Sequence, residues 1–464
     1  MTSDPFPPGT RSFVSFSVSD FHSIKERMLA WVASGGSGAG ADIFCFLDNQ
    51  GYPSGITPPP GFECLLAVGS VDSLKAGAGN AFSRLAEWAR NRREWLFGHF
   101  SYDLASETES VRLSPKSDPI GFPDVFFFVP RILIELSLTS MRIGSFRDDQ
   151  ETIWRQIEGS PLSVAANDGG EGSRFPPGMI PPFKARYSPA EYRARVIDLQ
   201  RHILRGDCYE VNFCQEFFSQ PAHLDALTGW RSLSKTSPNP FSAFYRLGDR
   251  YLLCASPERY LKKTGSRLLS QPIKGTSARH PGEPAADAAA ARALYQSAKD
   301  RSENVMVVDL VRNDLAKVCV PGSVAVEELY GIYPFPQVFQ MISTISGSAL
   351  PGLDWTEAIH ATFPMGSMTG APKNRVVGLI DRFERSRRGI FSGAIGYVTP
   401  DGDFDFNVVI RSLMYNQSSG YLSYQVGSAI TFYSDPQTEY EECLIKARGI
   451  LKALGVSGAE PGSV

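Results

Sequence analysis

The sequence predicts an α+β fold of largely antiparallel sheets with helices packed outside. The runs RYLLCAS, RLLSQPI, SGAIGYV, FNVVIRSLMY and YLSYQVG read as strands that follow one another without strict alternation with helices. Before residue 158, FVSFSVSDF, ADIFCFLD, WLFGHFSYDL and VFFFVPRILIEL are short aromatic or β-branched runs bounded by turn residues, as buried strands require. Helical spacing is confined to a few segments with clear caps.

One such segment begins at Ser188, a hydroxyl N-cap followed by Pro189 at N1 and Glu191 at N3. Tyr192, Val196, Leu199, Ile203 and Leu204 continue its apolar face, and Gly206 ends it. The C-terminal helix starts at Asp435-Pro436, carries Tyr440, Leu444, Ala447, Ile450, Leu451 and Leu454 on one side, and stops at Gly455. Between the halves, residues 159–183 crowd glycine, proline and small polar residues into a stretch unsuited to regular structure. The expected organisation is a strand-rich accessory domain over 1–158, a linker over 159–183, a larger domain over 184–456 and a flexible tail over 457–464.

With 464 residues and 42% apolar composition the chain can bury a sizeable core. Its 46 basic and 49 acidic side chains nearly cancel, and no like-charge block offers a platform for nucleic acid. Seven scattered cysteines, never spaced as C-x-x-C, suggest neither a disulfide framework nor a zinc site, so buried reduced thiols are expected. The opening MTSDPFPPGT lacks a basic start and an apolar run, and no stretch reaches the roughly 18 apolar residues of a membrane span. A cytoplasmic location, away from membranes, is the expectation.

Several residues could do chemistry. Lys274 follows an apolar strand and precedes Gly275, which permits a tight turn and close approach to a ligand. An ordinary lysine, with pKa about 10.4, is a poor nucleophile near neutrality unless its surroundings lower that value; taken alone, it reads first as a solvated surface lysine. Glu258 lies in a turn one short hairpin away and could donate a proton to a leaving group, or simply pair with Arg259. Asp300 and Glu303 lie three apart on one predicted helix, as do Glu439 and Glu442 on another. Facing helices would make an all-oxygen site suited to Mg2+; otherwise these are two solvated acidic faces. The segment FPMGSMTGAPK, with Ser367 and Lys373, leads into a helix whose positive end could hold an anion, although it is no nucleotide P-loop. Arg411, ending FNVVIRS, needs a carboxylate from the protein or from a ligand.

The order and wording of GDCYEVNFCQ, ASPERYL, PIKGTSARH, ENVMVVDLVRNDLAKV, MGSMTGAPK, RGIFSGAIGYV, VVIRSL and DPQTEYEECLIKAR resemble the chorismate-binding enzymes, the family of anthranilate synthase component I, aminodeoxychorismate synthase component I and the isochorismate and salicylate synthases. The resemblance covers roughly 185–455, and GHFSYDL is its best match in 1–158. It implies an anthranilate synthase component I-like fold. Pro272-Ile273-Lys274-Gly275-Thr276 resembles the P-I-K-G-T of aminodeoxychorismate synthases, where anthranilate synthases usually read P-I-A-G-T.

Carried over, the resemblance implies that Lys274 attacks C2 of chorismate, Glu258 assists loss of the C4 hydroxyl, and ammonia then enters at C4 to give 4-amino-4-deoxychorismate. Glu303 and Glu442 match magnesium ligands, with Asp300 and Glu439 supporting them through water. Gly275, Thr276, Ser367, Phe391, Arg411 and a Gly427-Ser428-Ala429 turn match positions that hold chorismate. Here the chain departs from its relatives: Ala429 replaces a common glycine, Phe391 a frequent tyrosine, and Gln340 the histidine of anthranilate and salicylate synthases. Glu210 stands where the water-adding relatives have lysine. With no G-x-C-x-G elbow and nothing like a pyridoxal-phosphate lyase, the resemblance implies a separate glutamine amidotransferase subunit supplying ammonia, and a separate downstream lyase towards 4-aminobenzoate and folate. The rivals are anthranilate synthase component I and a non-catalytic chorismate-binding subunit.

Overall fold

In the computed structural model, which describes residues 10–36, 42–52, 62–162 and 179–456, all pairings between strands are antiparallel and form two wings of one hydrogen-bonded network. The first wing runs through Ser12–Ser17, Ser140–Ser145, Val125–Leu136, Cys64–Ala76, Ile43–Asp48, Phe241–Leu247, Arg250–Ser256, Ser412–Asn416, Tyr421–Ile430 and Glu210–Ser219. The second branches from Val125–Leu136 through Leu96–Phe100, Ala394–Val398, Phe404–Asn407, Arg259–Thr264, Arg267–Gln271 and Val338–Ser348. Ile273–Ala278 and Ala325–Pro334 then flank Val338–Ser348.

Side-chain alternation explains why the strands are apolar almost throughout. Cys45 points into the core between the wings, with Phe97, Phe127, Phe406 and Tyr245. Its neighbours Phe44 and Phe46 point the other way, against Trp31, Trp230, Leu253 and Tyr424. A strand covered on both faces has no need of a polar side. The outer layer includes the two helices foreseen from their caps, Pro189–Leu204 with a complete Ser188/Glu191 capping box, and Pro436–Leu454 with Gly455 left-handed at its end.

Strands from residues 1–158 enter both wings: Ile43–Asp48 pairs with Phe241–Leu247, and Leu96–Phe100 with Ala394–Val398. Of the 159–183 stretch, residues 163–178 lie outside the described residues, as does the 457–464 tail. All seven cysteines are free and buried. Among the described residues no helix is long and apolar enough to cross a membrane.

Two expectations need correction. FNVVIRSLMY is not one strand: Phe404–Asn407 belongs to the second wing and Ser412–Asn416 to the first, so residues 408–411 cross between them. Arg411, at φ +52°, makes the bend. Nor is Gly427-Ser428-Ala429 a turn. It lies within Tyr421–Ile430, opposite Cys214, Phe213 and Asn212. Gly427 is small because a Cβ there would meet Phe213 O at 2.3 Å and Cys214 Sγ at 2.4 Å. Ala429, inside the strand, avoids the left-handed region that would have made it a poor substitute for glycine.

Candidate active site

The chain passes between the wings twice at adjacent places, and both crossings carry a predicted site residue. Arg250–Ser256 leaves the first wing and Arg259–Thr264 joins the second, so Pro257-Glu258 forms one crossing and residues 408–411 form the other. They are sewn together: Val408 N–H donates to Glu258 O at 3.1 Å, Ala255 N–H to Arg411 O at 3.3 Å, and the Ser256 hydroxyl to Val408 O at 2.6 Å. Glu258 is thereby only 4% exposed. Burial pushes its carboxyl up to about 7, against the downward pull of the Ser367 hydroxyl, the Lys274 amine and Ile273 N–H. Arg259 does not pair with Glu258; it binds Asp405 at 3.0 Å.

Lys274 sits in a bulge of Ile273–Ala278. Its amine donates to Glu210 Oε1 at 2.7 Å, with side-chain exposures of 11% and 2%. Glu210 opens the strand Glu210–Ser219 of the first wing, so this ion pair bridges the wings. Burial alone would lower the lysine pKa, but Glu210, Glu303 and Glu442 outweigh it and hold the amine above its ordinary value. The amine is sequestered from bulk water, and in this state it is protonated.

The two acidic helices do face one another. Lys299 Nζ lies 3.8 Å from Glu303 and 3.5 Å from Glu439. Burial pushes the Glu303 carboxyl up to about 7, partly countered by Lys274. Burial also acts upward on Glu442, but Lys446, 2.6 Å away, and the charges of Lys299 and Lys274 bring it below the usual value. Among the described residues no three His, Cys, Asp or Glu side chains converge as a ready metal cage. Yet, among the described residues, Glu303 Oε1 and Glu439 Oε2 are buried without hydrogen-bond partners; the half-exposed Lys299 ammonium answers Glu303 Oε1 only at 3.8 Å, which leaves these carboxylate oxygens costly to bury without a further cation. Mg2+ keeps several waters and needs one or two carboxylates, so the donor set fits it.

Asp300 packs against Gly275: a Cβ on Gly275, which has φ +96°, would sit 3.0 Å from Asp300 Cβ. Gly275→Ala is therefore expected to destabilise the protein by about 1–3 kcal/mol, read as a lower urea midpoint at unchanged m-value. Thr276 donates to Gln340 Oε1 at 2.7 Å, and Gln340 and Arg411 line a cavity beside Pro257. Among the described residues no carboxylate forms a salt bridge with Arg411, whose guanidinium reaches Lys446 O at 3.4 Å. Burial lowers its pKa, with Glu442 opposing. Phe391 lies apart, packed in the core between the wings. Lys373 is engaged too, bound to Asp314 at 2.7 Å and Thr362 O at 3.1 Å, and so is not held ready for an anion.

Other contributors went unrecognised in the sequence. Asn212 fixes the Ser367 turn by donating to Ser367 O at 2.9 Å. Lys446, four residues after Glu442, also holds Gly427 O at 2.8 Å, and this spacing was a readable signal. Asn304 reaches the Lys274 carbonyl, and nothing in the sequence distinguishes it from its neighbours.

Crossed antiparallel wings, enclosing an amine and a carboxyl beside two acidic helices, define an enzyme site, and the chain belongs to the chorismate binding enzyme family, matched over residues 57–452. It is 34% identical over 360 residues to aminodeoxychorismate synthase component 1 of Salmonella typhimurium, covering 77% of this chain and 76% of that one. It is 41% identical over 270 residues to an aminodeoxychorismate synthase of Streptomyces pristinaespiralis, a match that covers 58% of this chain and only 37% of that protein's length. The fold matches the crystal structure of anthranilate synthase component I from Streptococcus pneumoniae TIGR4 with TM-score 0.70 and 25% identity, over 85% of this chain and 93% of that one.

Proposed function

We propose that this enzyme converts chorismate and ammonia to 4-amino-4-deoxychorismate and water, acting as an amino-transferring synthase through a covalent lysine intermediate. The observation that carries the reading is the buried Lys274 amine, held 2.7 Å from Glu210, acted on by the charges of Glu303 and Glu442, and itself pulling the Glu258 carboxyl downward. The Lys274 ammonium first passes a proton to Glu210, 2.7 Å away; the free amine bonds to C2, the two conjugated ring double bonds each shift by one position, and the C4–O bond breaks as Glu258 gives its proton to the departing hydroxyl, which leaves as water. Ammonia then bonds to C4, both double bonds return, and the C2–N bond breaks with its electron pair left on the Lys274 nitrogen, which takes its proton back from Glu210. The Glu258 carboxylate accepts a proton from the incoming nitrogen, restoring the acid. Splitting one substitution into two easier ones is the advantage of a covalent route.

Arg411, which forms no salt bridge with a carboxylate among the described residues, suits a substrate carboxylate. Glu303 and Glu442 would hold Mg2+, with Asp300 and Glu439 behind them. Bound there, Mg2+ supplies positive charge that anchors the ring carboxylate and offsets the field that keeps Lys274 protonated. Glu210 offers a carboxylate where water-adding relatives have a lysine base, which speaks against isochorismate formation. Lys274 occupies the place through which a nucleophile would reach C2, which speaks against anthranilate formation. Ammonia comes from a separate glutamine amidotransferase subunit, and a separate lyase completes 4-aminobenzoate.

With chorismate, Mg2+ and ammonium, the expected product by liquid chromatography and mass spectrometry is 4-amino-4-deoxychorismate. Anthranilate or isochorismate as the main product would overturn the reading, and no magnesium-dependent chorismate consumption would favour the non-catalytic subunit.

A further inference from the structure

Two bulges flank one point of the strand Val338–Ser348. On one side Ile273 pairs with Ile342 and Thr276 with Gln340, so Lys274 and Gly275 oppose a single residue. On the other side Glu328 pairs with Thr344 and Gly331 with Ile342, so Leu329 and Tyr330 oppose Ser343, and Tyr330 stands at φ +62°. A bulge takes backbone groups out of the ladder, and buried backbone groups need other partners. Here side chains supply them in series. Tyr330 N–H donates to Ser343 Oγ at 3.1 Å; the Ser343 hydroxyl donates to Asn304 Oδ1 at 2.5 Å; Asn304 Nδ2 donates to the Lys274 carbonyl at 3.4 Å. Ser343 and Asn304 are fully buried. The helix that carries Asn304, Ala298–Ala316, is tied to the same place by Arg301, whose guanidinium lies 4.7 Å from the centre of the Tyr330 ring.

We propose that Asn304, itself oriented by Ser343, is a positioning residue that fixes the Lys274–Gly275 peptide and so aims the Lys274 amine. Gly275, in the left-handed region, places little restriction of its own on that peptide, and a misplaced nucleophile is slow even when substrate binds normally. The inference rests on the reading of Lys274 as nucleophile.

The test follows the rate at which full-length protein gains the chorismate-derived adduct, by rapid-quench intact mass, with Mg2+ and saturating chorismate but no ammonia. Asn304→Leu is expected to slow adduct formation roughly 10²-fold, with the half-saturating chorismate concentration almost unchanged. Ser343→Ala is expected to slow it about tenfold. Because serine acts through asparagine, the double variant should be no slower than Asn304→Leu alone. An Asn304→Leu protein that reacts at the parental rate, one altered only in half-saturation, or a double variant with multiplied effects would overturn the proposal. If Asn304→Leu does not fold, Ser343→Ala decides alone, and a parental rate there sinks it. Absence of adduct in the unsubstituted protein removes the nucleophile reading and this inference with it, whereas a normal adduct rate in Asn304→Leu removes only the inference.

Discussion

Lys274→Ala is expected to lower turnover of chorismate with ammonia by on the order of 10³-fold or more, because it removes the group that bonds to the substrate. The same variant should fold. Its side chain bridges the wings through one ion pair with Glu210, while the crossings remain joined by the bonds of Glu258 O, Arg411 O and Ser256. Losing the ammonium leaves Glu210 as a buried carboxylate without its partner, so some loss of stability is expected. Glu303 and Glu442, whose charges act on that amine, keep their acidic helices. Steady-state kinetics together with a urea midpoint separates the two effects: turnover collapses while cooperative unfolding persists.

Glu258→Gln is the second large effect, with turnover expected to fall roughly 10²–10⁴-fold. At pH 7 a glutamic acid of ordinary pKa would hold its proton in fewer than about one molecule in a hundred. At about 7, this one is protonated in roughly half the molecules. The rate supported by the acid should therefore fall as pH rises through 7, and the variant should lack that limb. Stability also falls as pH rises, over the window from 4.5 to 7. The folded state disfavours the charged carboxyl, so the penalty is absent below the ordinary value near 4.5, grows between 4.5 and 7, and is complete above 7. Above pH 7 the glutamine variant should match or exceed the parent in urea midpoint, by up to about 2–3 kcal/mol. A variant both inactive and less stable at pH 8 would contradict this account of the burial.

Local chemistry was readable; convergence was not. The helices at 189–204 and 436–454 were legible because their caps and apolar spacing lie within a few residues of one another. The split of FNVVIRSLMY was not, since both halves are apolar and the crossing uses a left-handed arginine with no glycine or proline to mark it. Gly427 looked like a turn residue for a related reason: sequence shows that a residue is small, not that the Phe213 and Cys214 backbone and side chain crowd it. Glu258 and Lys274 were singled out, but only the wing crossings bring them, Glu210 and the acidic helices together, and only burial gives Glu258 its raised pKa. The sign on Lys274 was beyond any sequence pattern, because it depends on three carboxylates drawn from separate segments.

The most direct test is intact-mass analysis after incubation with chorismate and Mg2+ in the absence of ammonia, comparing the natural chain with Lys274→Ala. A lysine nucleophile predicts a gain equal to chorismate less one water on the natural chain, located to Lys274 by peptide mapping and absent from the variant. An unmodified natural chain that nonetheless makes 4-amino-4-deoxychorismate when ammonia is added, or an equal gain on both proteins, would contradict it.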